Sequence, residues 1–273
     1  MTSHGNDADA PISKSASART QVIVLGASNV TLSLPWLIDN LPRGFGEPVS
    51  LFAAIGHGRS YGASSRVLIR ELPGILQCRL WSEMTGEESS PSRRFALLTD
   101  IGNDLLYGYA VDTIADWLVE ALDRLQSLHA ECALTRLPLV SVMKMSSARY
   151  YATRAVFFPG ARVSWPVMQQ RAVELDARIQ RLGDERQLAI IQPDGAWYGF
   201  DPIHIRLSKR CTAWSHLLST WSGWNRNVAV QWPRWYRHFQ NLRFAAAERK
   251  LAGISVERSQ PAYQNSQITM RLY

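Results

Sequence analysis

Short apolar runs alternate with amphipathic segments along most of the chain. Runs that are apolar on both faces are typical of parallel strands covered by helices. Five runs have the length and the β-branched content of strands: VIVLG from Val22, VSLFAAIG from Val49, FALLTDIG from Phe95, LPLVSVMK from Leu137 and QLAIIQ from Gln187. The pattern predicts an α/β fold, a three-layer α/β/α sandwich with a five-stranded parallel sheet of flavodoxin-like outline.

Helical periodicity separates these runs. From Asp112, apolar residues recur at three- and four-residue steps with charged residues between them, which predicts a helix with one buried face. Ser164 is a candidate N-cap for a second helix that ends near Gly183. Ser208 opens a last helix that runs through Trp221.

Two segments between the runs are predicted as surface loops. The stretch from Ser82 is polar and rich in turn formers, and the stretch RYYATRAVFFPGARVSWP from Arg149 is aromatic. The aromatic loop is either a wall of a substrate pocket, with Tyr151 as a candidate substrate contact, or a set of packed rings.

The charge is unevenly distributed. The formal net charge is +7, yet residues 225–273 hold eight Lys or Arg and only two Glu. We therefore expect three parts: a disordered segment at residues 1–20, a catalytic domain at 21–224 and a basic aromatic extension at 225–273. Any electrostatic partner would meet the extension and not the domain.

The extension interleaves Trp, Tyr and Phe with Arg. Packing on the parent domain or on a second subunit is the favoured interpretation. Contact with an acidic partner or a membrane surface is the alternative, and nucleic acid is disfavoured. The last twenty residues are polar, and we expect them to be mobile.

The cysteines and the N-terminus bear on location. Cys78, Cys132 and Cys211 are odd in number and form no CxxC pair, so neither a disulfide framework nor a cysteine zinc site is indicated. No apolar run has the length of a membrane span or a signal sequence. We expect a soluble cytoplasmic protein without a transmembrane segment.

The candidate chemistry lies at the predicted strand ends, where α/β sheets bind ligands. Ser28 follows the first strand, and a serine needs a base to become a nucleophile. Asp201 and His204 lie three residues apart after the fifth strand, so the carboxylate can accept from the imidazole Nδ1 while Nε2 faces Ser28. This is a triad in the chain order Ser, Asp, His.

Donors for an oxyanion are available at the same edge. They are the backbone N–H groups of Ser28 and Gly56 and the side-chain amide of Asn103. Asn29, next to the nucleophile, and His57, next to Gly56, are candidate substrate contacts.

At these residues the sequence resembles the SGNH/GDSL hydrolase superfamily. Ser28 in GASN, Gly56 in AAIGHG, Asn103 in GND and His204 in the DxxH pattern match its four blocks in order, from about Val22 to Trp221. The first block departs from GDS because Ala27 replaces the aspartate. The resemblance implies hydrolysis, or transfer, of the acyl group of a carboxylic ester with neither metal nor cofactor, and we expect an esterase or acyl hydrolase on a small-molecule ester, a deacetylase of small or sugar esters included.

Other interpretations remain open. An acyltransferase would use the same residues, and a catalytically silent protein would bind partners through the basic extension. His57 is a rival base, although no carboxylate lies near it in the sequence. Asp100 and Asp104 could join His57 in a metal site, but strand-end hydrogen bonding is the usual role of such aspartates.

Overall fold

A computed structural model describes residues 20–86, 93–157, 160, 162–232 and 244–273. The predicted disordered segment lies outside the described residues except for Thr20. Trp235, Tyr236 and Phe239 of the extension, within 233–243, also lie outside them.

The described chain alternates strands and helices. The strands are β1 (Thr20–Leu25), β2 (Val49–Ala54), β3 (Ser65–Val67), β4 (Arg70–Leu72), β5 (Arg93–Leu98), β6 (Glu131–Thr135), β7 (Ala189–Ile191), β8 (Glu248–Leu251), β9 (Ile254–Glu257), β10 (Tyr263–Gln264) and β11 (Ile268–Leu272). The α-helices are α1 (Ser28–Phe45), α2 (Leu80–Gly86), α3 (Asn103–Leu106), α4 (Val111–Ser127), α5 (Leu139–Met143), α6 (Ser147–Phe157), α7 (Trp165–Glu185) and α8 (Arg210–Leu218).

The main sheet has seven strands in the order β10-β11-β2-β1-β5-β6-β7. All neighbours pair in parallel except β10 with β11. The predicted parallel sheet is therefore confirmed, and the two additional strands come from the C-terminal residues. A second sheet joins β3, β4, β8 and β9.

Helices cover both faces of the main sheet because β1 is apolar on both sides. Ile23 and Leu25 pack in one cluster with residues of α4 and α7. Val22 and Val24 pack in the other cluster with residues of α1 and α8. These two cores make the three layers, and they fix the strand ends from which the site is built.

The fourth predicted strand was wrong. The strand is β6, and the run from Leu137 leaves the sheet and forms the short helix α5. Cys132, Ala133 and Leu134 are buried between β5 and β7. The longer apolar run after the strand lines the wall of a pocket instead.

The two longer predicted helices agree with the periodicity, the last one is shorter than predicted because α8 ends at Leu218, and parts of the predicted loops are helical. α4 and α7 lie where the pattern predicted them, although the Ser164 side chain makes no capping hydrogen bond. The chain from Leu80 to Gly86 is helical, and so is the aromatic stretch from Ser147 to Phe157. In that second helix Tyr150 is buried and packs against Trp165, with ring centroids 4.9 Å apart.

The last residues are not mobile, contrary to the expectation. β11 pairs with β2, and Ile268, Met270 and Leu272 are buried in the core. These alternate positions of β11 face the core, so three apolar residues in alternation are enough for this short segment to pair as a strand. Where it is described, the extension thus packs on its own domain.

Two further observations concern the whole of the described chain. Cys78, Cys132 and Cys211 are buried free thiols. Across the residues that the structure describes, we find no helix whose length and apolarity would let it cross a membrane.

Candidate active site

Ser28 lies at the N-terminus of α1. Gly26 comes directly after β1, and Ser28 is two residues further along the chain. A Cβ atom on Gly26 would lie 2.6 Å from Val30 Cγ2 and 2.9 Å from Thr99 Cγ2, so the turn from strand to helix requires glycine there. The first N–H groups of a helix have no partner within it. Ser28 therefore lies where backbone donors and the positive helix end favour an anion.

The structure brings Ser28, His204 and Asp201 together. Ser28 Oγ lies 2.8 Å from His204 Nε2, and His204 Nδ1 lies 2.5 Å from Asp201 Oδ2. Asp201 Oδ1 also accepts the backbone N–H groups of Ile203, at 3.1 Å, and of His204, at 3.2 Å. The carboxylate thus holds both the ring and the loop that carries it.

Burial alone would raise the pKa of Asp201. The hydrogen bond and the charge of His204, with the two backbone N–H groups, outweigh burial and hold the pKa of Asp201 below its ordinary value. An ionised carboxylate accepts a hydrogen bond from Nδ1–H, which keeps the proton on Nδ1 and leaves Nε2 as the acceptor for the Ser28 hydroxyl.

Asn103 begins α3 and is buried at the same edge. Its Nδ2 lies 3.5 Å from the carbonyl oxygen of Arg59, and Asn103 and Ser28 line one pocket. Gly56 lies two residues after β2, the strand beside β1. A Cβ on Gly56 would lie 2.3 Å from Leu72 Cδ1, so glycine lets β4 pack against this turn.

His57 is exposed beside this turn, and its carbonyl oxygen accepts a hydrogen bond from Arg70. Protein atoms displace part of the water around the ring, which lowers the pKa of His57, and the charges of Arg70 and His204 lower it further. The carboxylate of Asp100 acts in the opposite direction. His57 is thus near the triad, while the short contact to Ser28 belongs to His204.

Asp100 and Asn29 form hydrogen bonds that the sequence did not reveal. Asp100 Oδ2 accepts the N–H groups of Ala27, at 3.0 Å, and Asn29, at 2.9 Å. Asn29 Nδ2 donates to Asp100 Oδ1 at 2.7 Å and to the carbonyl of Ile203 at 2.9 Å. Asn29 Oδ1 accepts the N–H of Ile205 at 2.8 Å. Every polar atom of the Asn29 side chain is thus bonded to protein.

A pocket opens beside Ser28 and holds about 900 Å³ of space, part of it open to solvent. Its walls are mostly apolar and come from the ends of β5 and β6 and from α5, α7 and α8. They include Leu105, Leu106, Leu137, Leu139, Val142, Met168, Ala172, Trp197, Tyr198 and Trp214. The sequence singled out none of these residues as pocket walls, because apolar side chains of a pocket and of a core follow the same pattern.

Tyr151, a predicted substrate contact, lies away from this pocket. Its hydroxyl accepts the backbone N–H of Trp165 at 3.2 Å, and the Arg154 guanidinium lies over its ring. Its neighbour Tyr150 lines a second, smaller hollow that shares Leu106, Val142, Met168 and Ile203 with the first. Among the described residues no three His, Cys, Asp or Glu side chains form a group that could hold a metal ion.

Asp104, next to Asn103, is fully buried. Its Oδ2 accepts the N–H of Tyr61 at 3.0 Å, and Oδ1 has no partner among the described residues. Burial raises the pKa of Asp104 to about 6, although hydrogen bonds from Ser60 and Tyr61 oppose the shift. Tyr61 in turn bonds the carbonyls of Leu25 and Thr99, so this group ties the Gly56 turn to the strand ends.

Asp104 makes stability depend on pH. Between pH ~4 and ~6 the unfolded chain releases this proton while the folded protein keeps it, so the free energy of unfolding should fall as the pH rises, by about 3 kcal/mol. Asp104→Asn keeps an acceptor for Tyr61 and cannot ionise, so it should remove that decline. Urea unfolding of both proteins from pH 4 to pH 7 measures it, and equal slopes would contradict the assignment.

No protein-family model matches the sequence, and no curated protein matches it. The fold is similar to solved structures of esterases and lipases. The esterase EstA from Pseudoalteromonas sp. is 13% identical, with a TM-score of 0.48 over 73% of this chain and 95% of that one. A GDSL-like lipase from Bacteroides thetaiotaomicron is 11% identical, with a TM-score of 0.45 over 74% and 86%. A G-D-S-L family lipolytic protein from Veillonella parvula is 14% identical, with a TM-score of 0.43 over 74% and 98%.

Proposed function

We propose that this protein is a serine-dependent ester hydrolase of the SGNH/GDSL type. The observation that carries the proposal is the pair of contacts Ser28 Oγ to His204 Nε2, at 2.8 Å, and His204 Nδ1 to Asp201 Oδ2, at 2.5 Å. A nucleophile within hydrogen-bond distance of a base that is itself oriented by a carboxylate is the arrangement of serine hydrolases.

In the first half-reaction, Ser28 Oγ attacks the ester carbonyl carbon while its proton moves to His204 Nε2. The carbonyl π electrons move to oxygen and form a tetrahedral oxyanion. As the C–O bond to the alcohol breaks, the protonated His204 gives its proton to the leaving oxygen, and an acyl-Ser28 remains. Asp201 holds the ring tautomer and stabilises the imidazolium.

The oxyanion needs donors that are in position before the reaction. The candidates are the N–H groups of Ser28 and Gly56 and the Asn103 amide. The position of Ser28 at the start of α1 supports the first, and the pocket that Ser28 and Asn103 share supports the third.

In the second half-reaction, water gives a proton to His204 and attacks the acyl carbon, and the proton then returns to Ser28 Oγ as the acid leaves. An acceptor alcohol in place of water would make the protein an acyltransferase with the same residues. The cytoplasmic location and the partners of the extension stay predictions.

We further propose that the apolar pocket holds the acyl group. Its walls surround the space beside Ser28 with side chains of Leu, Met, Val and Trp, so an acyl chain longer than acetyl would gain apolar contacts there. Burial of one methylene contributes about 0.8 kcal/mol. A short acyl chain of several carbons is therefore favoured over acetate.

Labelling with a fluorophosphonate tests the nucleophile. Ser28 Oγ should displace fluoride and bond to phosphorus, and mass spectrometry of a digest should place the adduct on Ser28. Ser28→Ala and His204→Ala should abolish labelling and lower kcat/KM for p-nitrophenyl esters by about 10⁴-fold or more.

Ser33→Ala is the matched control, since Ser33 is a buried serine of the same helix. It should be labelled like the wild type. A folded wild-type protein that stays unlabelled and inactive on all esters would favour the silent binding protein.

Asn103→Ala tests the oxyanion donor. We expect kcat to fall by roughly 10²- to 10³-fold with KM little changed, because the amide would bind the oxyanion more strongly than the substrate carbonyl. Steady-state kinetics on p-nitrophenyl butyrate measures both constants. A rise in KM alone would assign Asn103 to substrate binding instead.

Acyl-chain preference tests the pocket. In a series of p-nitrophenyl esters from acetate upward, kcat/KM should increase about fourfold for each methylene until the pocket is full. Ala172→Leu, on the α7 wall, should shift the maximum to a shorter chain. Ala177→Leu, on the solvent side of the same helix, should not. A series that falls from acetate onward in all three proteins would contradict an acyl pocket.

A further inference from the structure

We propose that Asn29 and Asp100 are positioning residues that set the contact between Ser28 and His204. The inference rests on the proposed serine mechanism and adds to it two residues outside the triad and the oxyanion donors. Neither side chain needs to contact the reacting atoms for this role.

Asp100 holds the chain on both sides of Ser28. The two N–H groups on its Oδ2 belong to Ala27 and Asn29, the residues before and after the nucleophile. One carboxylate oxygen at the end of β5 therefore anchors the backbone on either side of Ser28. Hydrogen bonds to a charged acceptor are about twice as strong as neutral ones.

Asn29 holds the chain on both sides of His204. Its Nδ2 donates to the carbonyl of Ile203, and its Oδ1 accepts the N–H of Ile205. The second Nδ2 proton goes to Asp100 Oδ1, which fixes the orientation of the amide. The segment that carries Ser28 and the loop that carries His204 are thus linked by the Asp100 carboxylate and the Asn29 amide.

The backbone of Asp100 supports a specific role for this residue. Its φ is +57°, in the left-handed region, which is costly for most residues and is tolerated best by Asn, Asp and Gly. Such strain persists where the surrounding structure requires it. Here the turn lies directly after Thr99, whose N–H bonds the carbonyl of Leu25, and the carboxylate reaches the start of α1.

The local bonds of the His204 loop cannot replace this pair. Asp201 orients the His204 ring, but the two residues lie on the same loop, and Asp201 is exposed. The loop must itself be placed against the start of α1, where Ser28 lies 176 positions before His204. A displacement of about 1 Å at such a contact can reduce the rate about 100-fold.

Asn29→Ala is the direct test. We expect kcat to fall about 100-fold with KM changed less than threefold, and the rate of fluorophosphonate labelling of Ser28 to fall in parallel. A loss of packing alone would instead lower the midpoint of urea unfolding and leave kcat of the folded protein intact.

Asn40→Ala is the matched control. Asn40 is a buried asparagine on the same helix, and its side chain also makes three hydrogen bonds, to the carbonyls of Trp36 and Gln231 and from the N–H of Gln231. We expect it to lower the unfolding midpoint about as much as Asn29→Ala does and to leave kcat unchanged.

A swapped pair gives the rescue arm. Asn29→Asp sets two carboxylates against each other and should be at least as slow as Asn29→Ala. Adding Asp100→Asn lets the amide at position 100 donate to the carboxylate at position 29, and the backbone N–H partners of both side chains are kept. The bond to the Ile203 carbonyl stays lost, so the double variant should regain about tenfold in kcat over Asn29→Asp and remain slower than the wild type. The swap also reads out the role if Asn29→Ala does not fold.

The outcomes separate this inference from the proposed function. If wild-type Ser28 is labelled and Asn29→Ala and the swapped pair are both labelled at the wild-type rate, the positioning role is wrong and the esterase stands. An equal loss of kcat in Asn40→Ala would also overturn it. If wild-type Ser28 is not labelled, the proposed function fails first.

Discussion

The hydrogen bond between Ser28 and His204 joins residues 176 positions apart, and the rest of the site depends on it. It can form because parallel strands present their carboxyl ends at one edge of the sheet. Ser28 follows the central strand β1 directly, whereas His204 lies in a loop after the edge strand β7. The sheet brings the two segments to one edge, and side-chain contacts must supply the last few ångströms.

Much of this arrangement could be predicted from the sequence. Four of the five strands and the residues of the Ser–Asp–His contact follow from apolar runs and from the polar residues that end them. The fourth strand was missed because ECALT is short and begins with Glu, while the next run is more apolar but covers the pocket. Local pattern does not distinguish a buried strand from a pocket wall, since both are built from runs of apolar side chains.

The C-terminal residues show a second limit of local pattern. Their polar composition suggested mobility, yet the strand Ile268–Leu272 joins the main sheet and the Tyr273 main-chain oxygen accepts a hydrogen bond from the buried Arg59. Arg59 also donates to the carbonyls of Ile55 and Pro73, and its own carbonyl faces the Asn103 amide. Burial lowers the pKa of Arg59, and backbone carbonyls accept hydrogen bonds from its Nε and Nη1. The end of the chain is therefore part of the support for the turn that carries Gly56.

The first sequence block departs from GDS at Ala27, and Asp100 places a carboxylate beside the backbone of that residue. Ala27 has no carboxylate, but its N–H group donates to the carboxylate of Asp100 from the end of β5. A negative charge near the start of a helix is favourable, because the first N–H groups lack partners there. This chain supplies that charge from the strand beside β1, and the left-handed backbone of Asp100 is what turns the side chain toward α1. The same carboxylate orients the Asn29 amide, which in turn holds the His204 loop. The backbone of Ala27 and the His204 loop therefore belong to one hydrogen-bond network.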